Sequence, residues 1–174
     1  MGETRTIRDM IRKGAITRGP ALAAALEAYR MRGYDCLCGN TRMAARALTT
    51  LYDAYLAPCG LTSSQLAVLW CVIGGEPLAM GDIARYLVMD KTTVSRNVAA
   101  LVSAGLVASR VGDDARVKRL ASTAKGRRVF ARAIPLWEAA QAQVTERLGS
   151  ERFADVVRQT RRLARALGEA SGAT

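Results

Sequence analysis

Six of the seven residues from Lys91 to Asn97 carry a hydroxyl, a cation or an amide: Lys91, Thr92, Thr93, Ser95, Arg96 and Asn97. Side chains of these types donate and accept hydrogen bonds along polar edges, and the two cations attract anions. The apolar residues Val94, Val98, Leu101 and Val102 recur among and after them at helical spacing. The pattern predicts an amphipathic helix with a polar first half held out to solvent. Further along, Arg116, Lys118 and Arg119 follow the turn-forming run "GDDA". Both groups suit the grasping of a polyanion and neither suits bond cleavage. With no His in 174 residues, imidazole triads and most zinc-hydrolase sites are excluded. There is neither a Gly-rich phosphate loop nor a locally supported carboxylate pair, so no enzyme is expected.

The charge is concentrated around these candidates. Lys and Arg number 26 against 15 acids, a formal +11. From Arg85 to Arg132 there are 11 basic residues and three acids, so this one segment carries +8 of that total. Residues 35–84 hold only Arg42 and Arg46 against Asp35, Asp53, Glu76 and Asp82. Basicity is therefore local, as a nucleic-acid footprint requires, and not a general solubility device. An RNA-binding or architectural role is the competing class. The aromatic content of 5% provides no stacking platform for splayed bases. No run is long and apolar enough to span a bilayer, and the polar, cationic Met1–Gly19 end lacks the apolar core of a signal peptide, so a cytoplasmic protein without membrane partners is expected.

The elements that must position these residues are mostly helical. A short amphipathic segment with Ile7, Met10 and Ile11 precedes an Ala-rich helix opened by Pro20 and ended by Gly33. Asp35 is a candidate cap for a long helix with Leu37, Ala44, Leu48, Leu51, Tyr55 and Leu56 on one buried face, broken by Pro58 and Gly60. Thr62 caps a helix to Ile73 that "GGEP" closes; residues 80–87 make two turns, Asp90 caps the quoted helix, and Gly105 ends it. Strand-like "LVASRV" and "RVKRLA" form a hairpin. Thr123 starts a long helix to about Leu148, bent near Pro135, and Ser150 starts the last, to about Leu167. Helix, helix, turn, helix, hairpin is the order of a winged helix-turn-helix, mainly α with a small β-hairpin wing. The quoted helix would then be the one that reads a duplex.

The stretches "AARALTTLYDAYLAPCGLTSSQLAVLW" (44–70), "MDKTTVSRNVAALVSAGLV" (89–107) and "DDARVKRLASTAKGRRVF" (113–130) resemble the MarR family of transcription regulators. The likeness covers about residues 35–168 and includes the wing pattern Asp114, Arg116, Thr123, Gly126, with Ser122 where an aliphatic residue usually stands. It implies a homodimer with interwoven terminal helices: residues 35–57 and 124–168 for dimerisation, 58–123 as the winged DNA-binding region, and 1–34 as an added N-terminal arm. The stripe Phe153, Val156, Val157, Leu163 and Leu167, opposite Arg158, Arg161, Arg162 and Arg165, agrees with such a dimer. The resemblance further implies a pseudo-palindromic operator in double-stranded DNA. Thr92, Thr93, Ser95, Arg96 and Asn97 would make base or phosphate contacts in the major groove, Arg116 would enter the minor groove, and Lys91, Lys118 and Arg119 would hold the backbone.

For sensing, two mechanisms are open. In the first, a small aromatic or phenolic acid binds between the long helix and the winged region, with Arg42 or Arg46 at its carboxylate and Met43, Trp70 and Cys71 along its apolar side. In the second, Cys38 is a redox sensor. Aligning Tyr52 with a Tyr of the family's organic-hydroperoxide branch places Cys38 on that branch's reactive Cys, with Arg42 one turn on, although Gly39 and Arg42 replace the aromatic residues expected there. The four Cys, at 36, 38, 59 and 71, match no zinc spacing, so neither a metal nor a cofactor is expected.

Overall fold

The computed structural model describes residues 20–33, 35–111 and 118–168. The segment with Ile7, Met10 and Ile11, the "GDDA" turn and Arg116 lie outside these residues. The helices are α1 (Pro20–Gly33), α2 (Leu37–Leu56), α3 (Ser63–Gly75), α4 (Met80–Leu87), α5 (Lys91–Ser103), α6 (Ala124–Leu148) and α7 (Ser150–Gly168), with a 3-10 turn at Ala57–Cys59. The strands are β1 (Leu78–Ala79), β2 (Val107–Val111) and β3 (Lys118–Ser122). The chain divides into two compact units, Met1–Ala47 and Leu48–Thr174, and the second holds the core.

In the second unit, α3, α4, α5 and the sheet form a winged helix-turn-helix, as the order of patterns predicts. Three side chains set the helix starts. Thr62 accepts from the Gln65 amide while Gln65 returns a bond to the Thr62 amide, a complete capping box. Asp90 accepts from Thr93 N at 2.8 Å, and Thr123 from Gly126 N at 2.9 Å. Asp53 of α2 also holds the first amide of α3, Ser63 N, at 2.7 Å. Leu66, Val68, Leu69 and Val72 of α3, Ile83 of α4, Val94, Val98 and Leu101 of α5 and Leu120 of β3 fill one cluster. Fully burying each such side chain stabilises by about 1.5–3 kcal/mol.

The sheet has the order β1-β3-β2, all antiparallel. The hairpin is as predicted, with Ser109 opposite Leu120 and Arg110 opposite Arg119. Strand β1 is an addition, since two residues are too few to show alternation; Leu78 pairs with Leu120. α6 continues through Pro135 as one helix.

Two expectations are corrected. Cys36, not Asp35, stands at the head of α2: its carbonyl accepts from Asn40 N at 3.0 Å and its Sγ from Gly39 N at 3.4 Å. The apolar stripe of α2 is not a buried face either. Only Leu56 is buried, and Leu37 and Leu48 are exposed. α7 has no buried residue, and Val156, Val157 and Leu167 stand in solvent. Apolar stripes of this length on two helices need cover that the described residues do not supply.

Ser122, the departure from the family's aliphatic residue, has a structural use. Its backbone N–H donates to a Glu76 carboxylate oxygen, and Arg127 Nη1 donates to its hydroxyl at 2.7 Å and its carbonyl at 3.2 Å. Arg127 also pairs with Glu76 at 3.4 Å. The backbone and hydroxyl bonds from Ser122, then the Arg127 charge, hold the Glu76 carboxyl below its ordinary range. A depressed carboxyl contributes stability that is complete above its unfolded pKa of about 4.3 and lost as pH falls through the folded value. Thermal unfolding followed from pH 6 to 3, on the order of the carboxylate range, should therefore show a shallower acid-side loss for Glu76→Gln than for the wild type.

Candidate nucleic-acid interface

α5 turns Val94, Val98 and Leu101 into the core. That orientation leaves Lys91, Thr92, Ser95, Arg96, Ala99 and Ala100 exposed along the other side. The small Ala99 and Ala100 after the polar half leave room for the helix to lie close against a wall. Two predicted contact residues are turned to the helix's own needs. Thr93 Oγ1 donates to Asp90 Oδ2 at 2.6 Å, and Asn97 Nδ2 donates to the Thr93 carbonyl at 2.9 Å. The bonds from Thr93 side chain and backbone keep the Asp90 carboxyl below its usual range, so it is a charged cap on the positive end of α5. The other end is closed by Lys125 Nζ on the Ala104 carbonyl at 2.8 Å.

In the wing, Arg119 is exposed on β3 beside buried Leu120. The register sets Arg110 of β2 directly across from Arg119, and Val111 across from Lys118.

The base of the wing is locked to α6 through a close backbone approach. Thr123 N donates to the Leu106 carbonyl at 3.0 Å, and Thr123 Oγ1 donates to the Gly105 carbonyl at 2.8 Å. At Gly126 a Cβ would stand 2.0 Å from the Leu106 carbonyl oxygen. This contact is the physical content of the Thr-x-x-Gly pattern.

Residues 60–117 match the sequence profile of the MarR family. The helix-turn-helix-type transcriptional regulator YwoH of Bacillus subtilis (strain 168) is 32% identical over 94 residues, which are 54% of this chain and 69% of that protein. The transcriptional regulator MosR of M. tuberculosis, solved in complex with DNA, is 38% identical, with 79% of this chain and 97% of that one covered and a TM-score of 0.66. The chain belongs to the MarR family. It is accordingly a DNA-binding transcription regulator with the winged helix fold. A further MarR-family protein of Mycobacterium tuberculosis, in complex with p-aminosalicylic acid, is 25% identical, with 74% of this chain and 98% of that chain covered and a TM-score of 0.57.

The predicted sensing residues fall in both units. Cys38, Arg42, Met43 and Arg46 lie in the first and are exposed. Trp70 and Cys71 lie in the second and line a groove of about 550 Å³. Burial pushes the Cys71 thiol above its ordinary pKa, which suits an apolar wall and not a nucleophile. Tyr52, the residue that ties Cys38 to a hydroperoxide sensor by alignment, donates its hydroxyl to Gln141 Oε1 of α6. Sequence reasoning missed Leu78, Asp82, Arg85 and Tyr86, which complete the groove with Gly74 and Gly75; the i, i+4 pair Asp82 and Tyr86 is visible as a helix face, but which α3 residues meet it is not. Among the described residues no group of His, Cys, Asp or Glu could hold a metal ion, and no single helix is long and apolar enough to cross a membrane.

Proposed function

We propose that this protein is a homodimeric repressor that occupies a pseudo-palindromic operator and leaves it when a small aromatic or phenolic acid binds. The observation that carries the reading is α5. Its inner side is fixed in the core, its outer strip of Thr92, Ser95 and Arg96 is free of tertiary cover, and Ala99 and Ala100 follow without bulk. In a major groove Arg96 suits the acceptor edge of a guanine, and Thr92 and Ser95 suit either a base edge or a phosphate. Thr93 and Asn97 hold the start of the helix in shape. Lys91, Lys118 and Arg119 clamp the backbone on either side, and Arg116 reaches into the neighbouring minor groove. The uncovered stripes of α2 and α7 supply the dimer surface, and two-fold symmetry sets half-sites about one helical turn, ~34 Å, apart. A relative's complex with p-aminosalicylic acid supports the effector class.

The test is competition binding with a palindromic promoter fragment. Operator DNA should be preferred over bulk duplex, single-stranded DNA and RNA, and affinity should fall about a thousandfold or more between ~50 and ~200 mM salt as phosphates regain their counterions. A flat salt dependence, or preference for RNA, would overturn the reading. The exposure of Cys38 in the first turn of α2 keeps thiol sensing as the second reading. Its signature in the same assay is release by an organic hydroperoxide, restored by reductant and abolished by Cys38→Ser.

A further inference from the structure

From the groove on the winged region we infer a binding site for a planar aromatic monocarboxylate bearing a hydroxyl or amino donor, anchored by Arg85. This inference rests on the effector reading above and moves the anchor away from Arg42 and Arg46. The groove lies between the second half of α3, strand β1 and α4, and about 550 Å³ is the volume of a small-ligand pocket. One wall is the ring pair Trp70 and Tyr86, in contact with centroids 5.6 Å apart and planes inclined by 44°. Both rings are large and unusually open, at 48% and 66% of full exposure. Leu78 adds an aliphatic side, and Gly74 leaves a gap in the α3 side, since a Cβ there would meet no atom within 4 Å.

The polar groups of the groove decide the class of ligand. Arg85 is its cation and Asp82 its carboxylate, 3.3 Å apart on successive turns of α4, and the Arg85 side chain is 81% exposed. An exposed pair of this kind contributes little to stability, so a ligand can displace it at small cost. A carboxylate suits the planar guanidinium fork, and a neighbouring hydroxyl or amine suits the acceptor oxygens of Asp82. A simple ammonium would be repelled by Arg85, a dicarboxylate by Asp82, and a bare hydrocarbon would satisfy neither. The ring of the ligand would lie against Trp70 and Tyr86, where aromatic contacts prefer offset or tilted geometry. A ligand seated here presses on α4, which runs through Val88, at a left-handed φ of 52°, directly into the Asp90 cap of α5. The site therefore acts on the recognition helix from behind.

The experiment uses the full chain in a Trp137→Phe background, so that quenching reports Trp70. Three probes are titrated, p-aminosalicylate, 4-hydroxybenzoate and 4-hydroxycinnamate, together with p-aminosalicylamide as an uncharged analogue, and operator release is read in parallel. Saturable quenching by at least one acid is expected, weakened about tenfold or more by Arg85→Gln and in the amide. Gly74→Leu, which fills the gap from an exposed helical position, should abolish quenching while leaving ligand-free operator binding intact. Arg42→Ala and Arg46→Ala should leave quenching unchanged. No saturable quenching by any acid at millimolar concentration, or binding that survives Gly74→Leu and is lost in Arg42→Ala or Arg46→Ala, would overturn the site. The two readings fail separately. Operator release by an acid without Trp70 quenching leaves the repressor reading standing, whereas Trp70 quenching without any operator binding removes the repressor and keeps the site.

Discussion

Gly126→Ala is expected to leave a protein that unfolds many degrees below the wild type and loses operator binding with its fold. The first turn of α6 lies so close to the end of α5 that a methyl group at this position would sit 2.0 Å from the Leu106 carbonyl oxygen and 2.9 Å from its carbon. Both are backbone atoms, and the same carbonyl already accepts from Thr123 N. Relief must come from moving α6 as a whole or from breaking the Thr123 bonds that seal the base of the wing. Overpacking of this kind costs about 1–3 kcal/mol, and more where backbone must shift. In a chain of this size each kcal/mol lowers Tm by roughly 2–4 °C. Thermal denaturation followed by circular dichroism checks it. Gly81→Ala is the control, because a Cβ there meets nothing within 4 Å, and Ala is the better helix former by about 1 kcal/mol. A Gly126→Ala protein as stable as that control would show that the close approach is not required.

The winged region was legible because each of its elements has a local signal. Thr62, Asp90 and Thr123 are caps by residue type, and all three accept the amide bonds that such caps accept. Gly105 takes the left-handed conformation its place after α5 suggests, at a φ of 68°. The failures have equally local causes. At the head of α2 a carboxylate was favoured by type, yet the position is taken by the Cys36 sulfur, a weaker acceptor that propensity would never choose. The α2 stripe has helical periodicity, which says that one side wants cover and not whether this chain provides it; Leu37 and Leu48 are exposed. The groove could not be read at all. Trp70 and Cys71 look like one more stretch of a buried helix until α4 is packed beside them and sets Tyr86 and Arg85 at the opening.

Among the residues of α5, Arg96 should carry the largest share of sequence preference. It is exposed midway along the outer strip, one residue from Ser95 and flanked by Ala99 and Ala100, so the helix can approach a base edge without obstruction. Its side chain has no part in the core, and Arg96→Ala should therefore leave the fold and its Tm unchanged. A bidentate contact to a guanine is worth about 1–3 kcal/mol, a loss of roughly five- to 150-fold in operator affinity for each half-site. Because the contact reads a base, the loss should fall on the operator and spare bulk duplex, so that the ratio between them collapses. Arg119→Ala offers the contrast. Sitting across from Arg110 on the wing, it should lower affinity for all duplexes alike and reduce the salt slope by about one phosphate, with specificity kept. Fluorescence anisotropy with operator and scrambled duplexes over a salt series separates the two patterns. If Arg96→Ala instead behaves as Arg119→Ala is expected to, α5 holds the backbone and the bases are read elsewhere; if neither changes binding, the outer strip of α5 is not the DNA-facing surface.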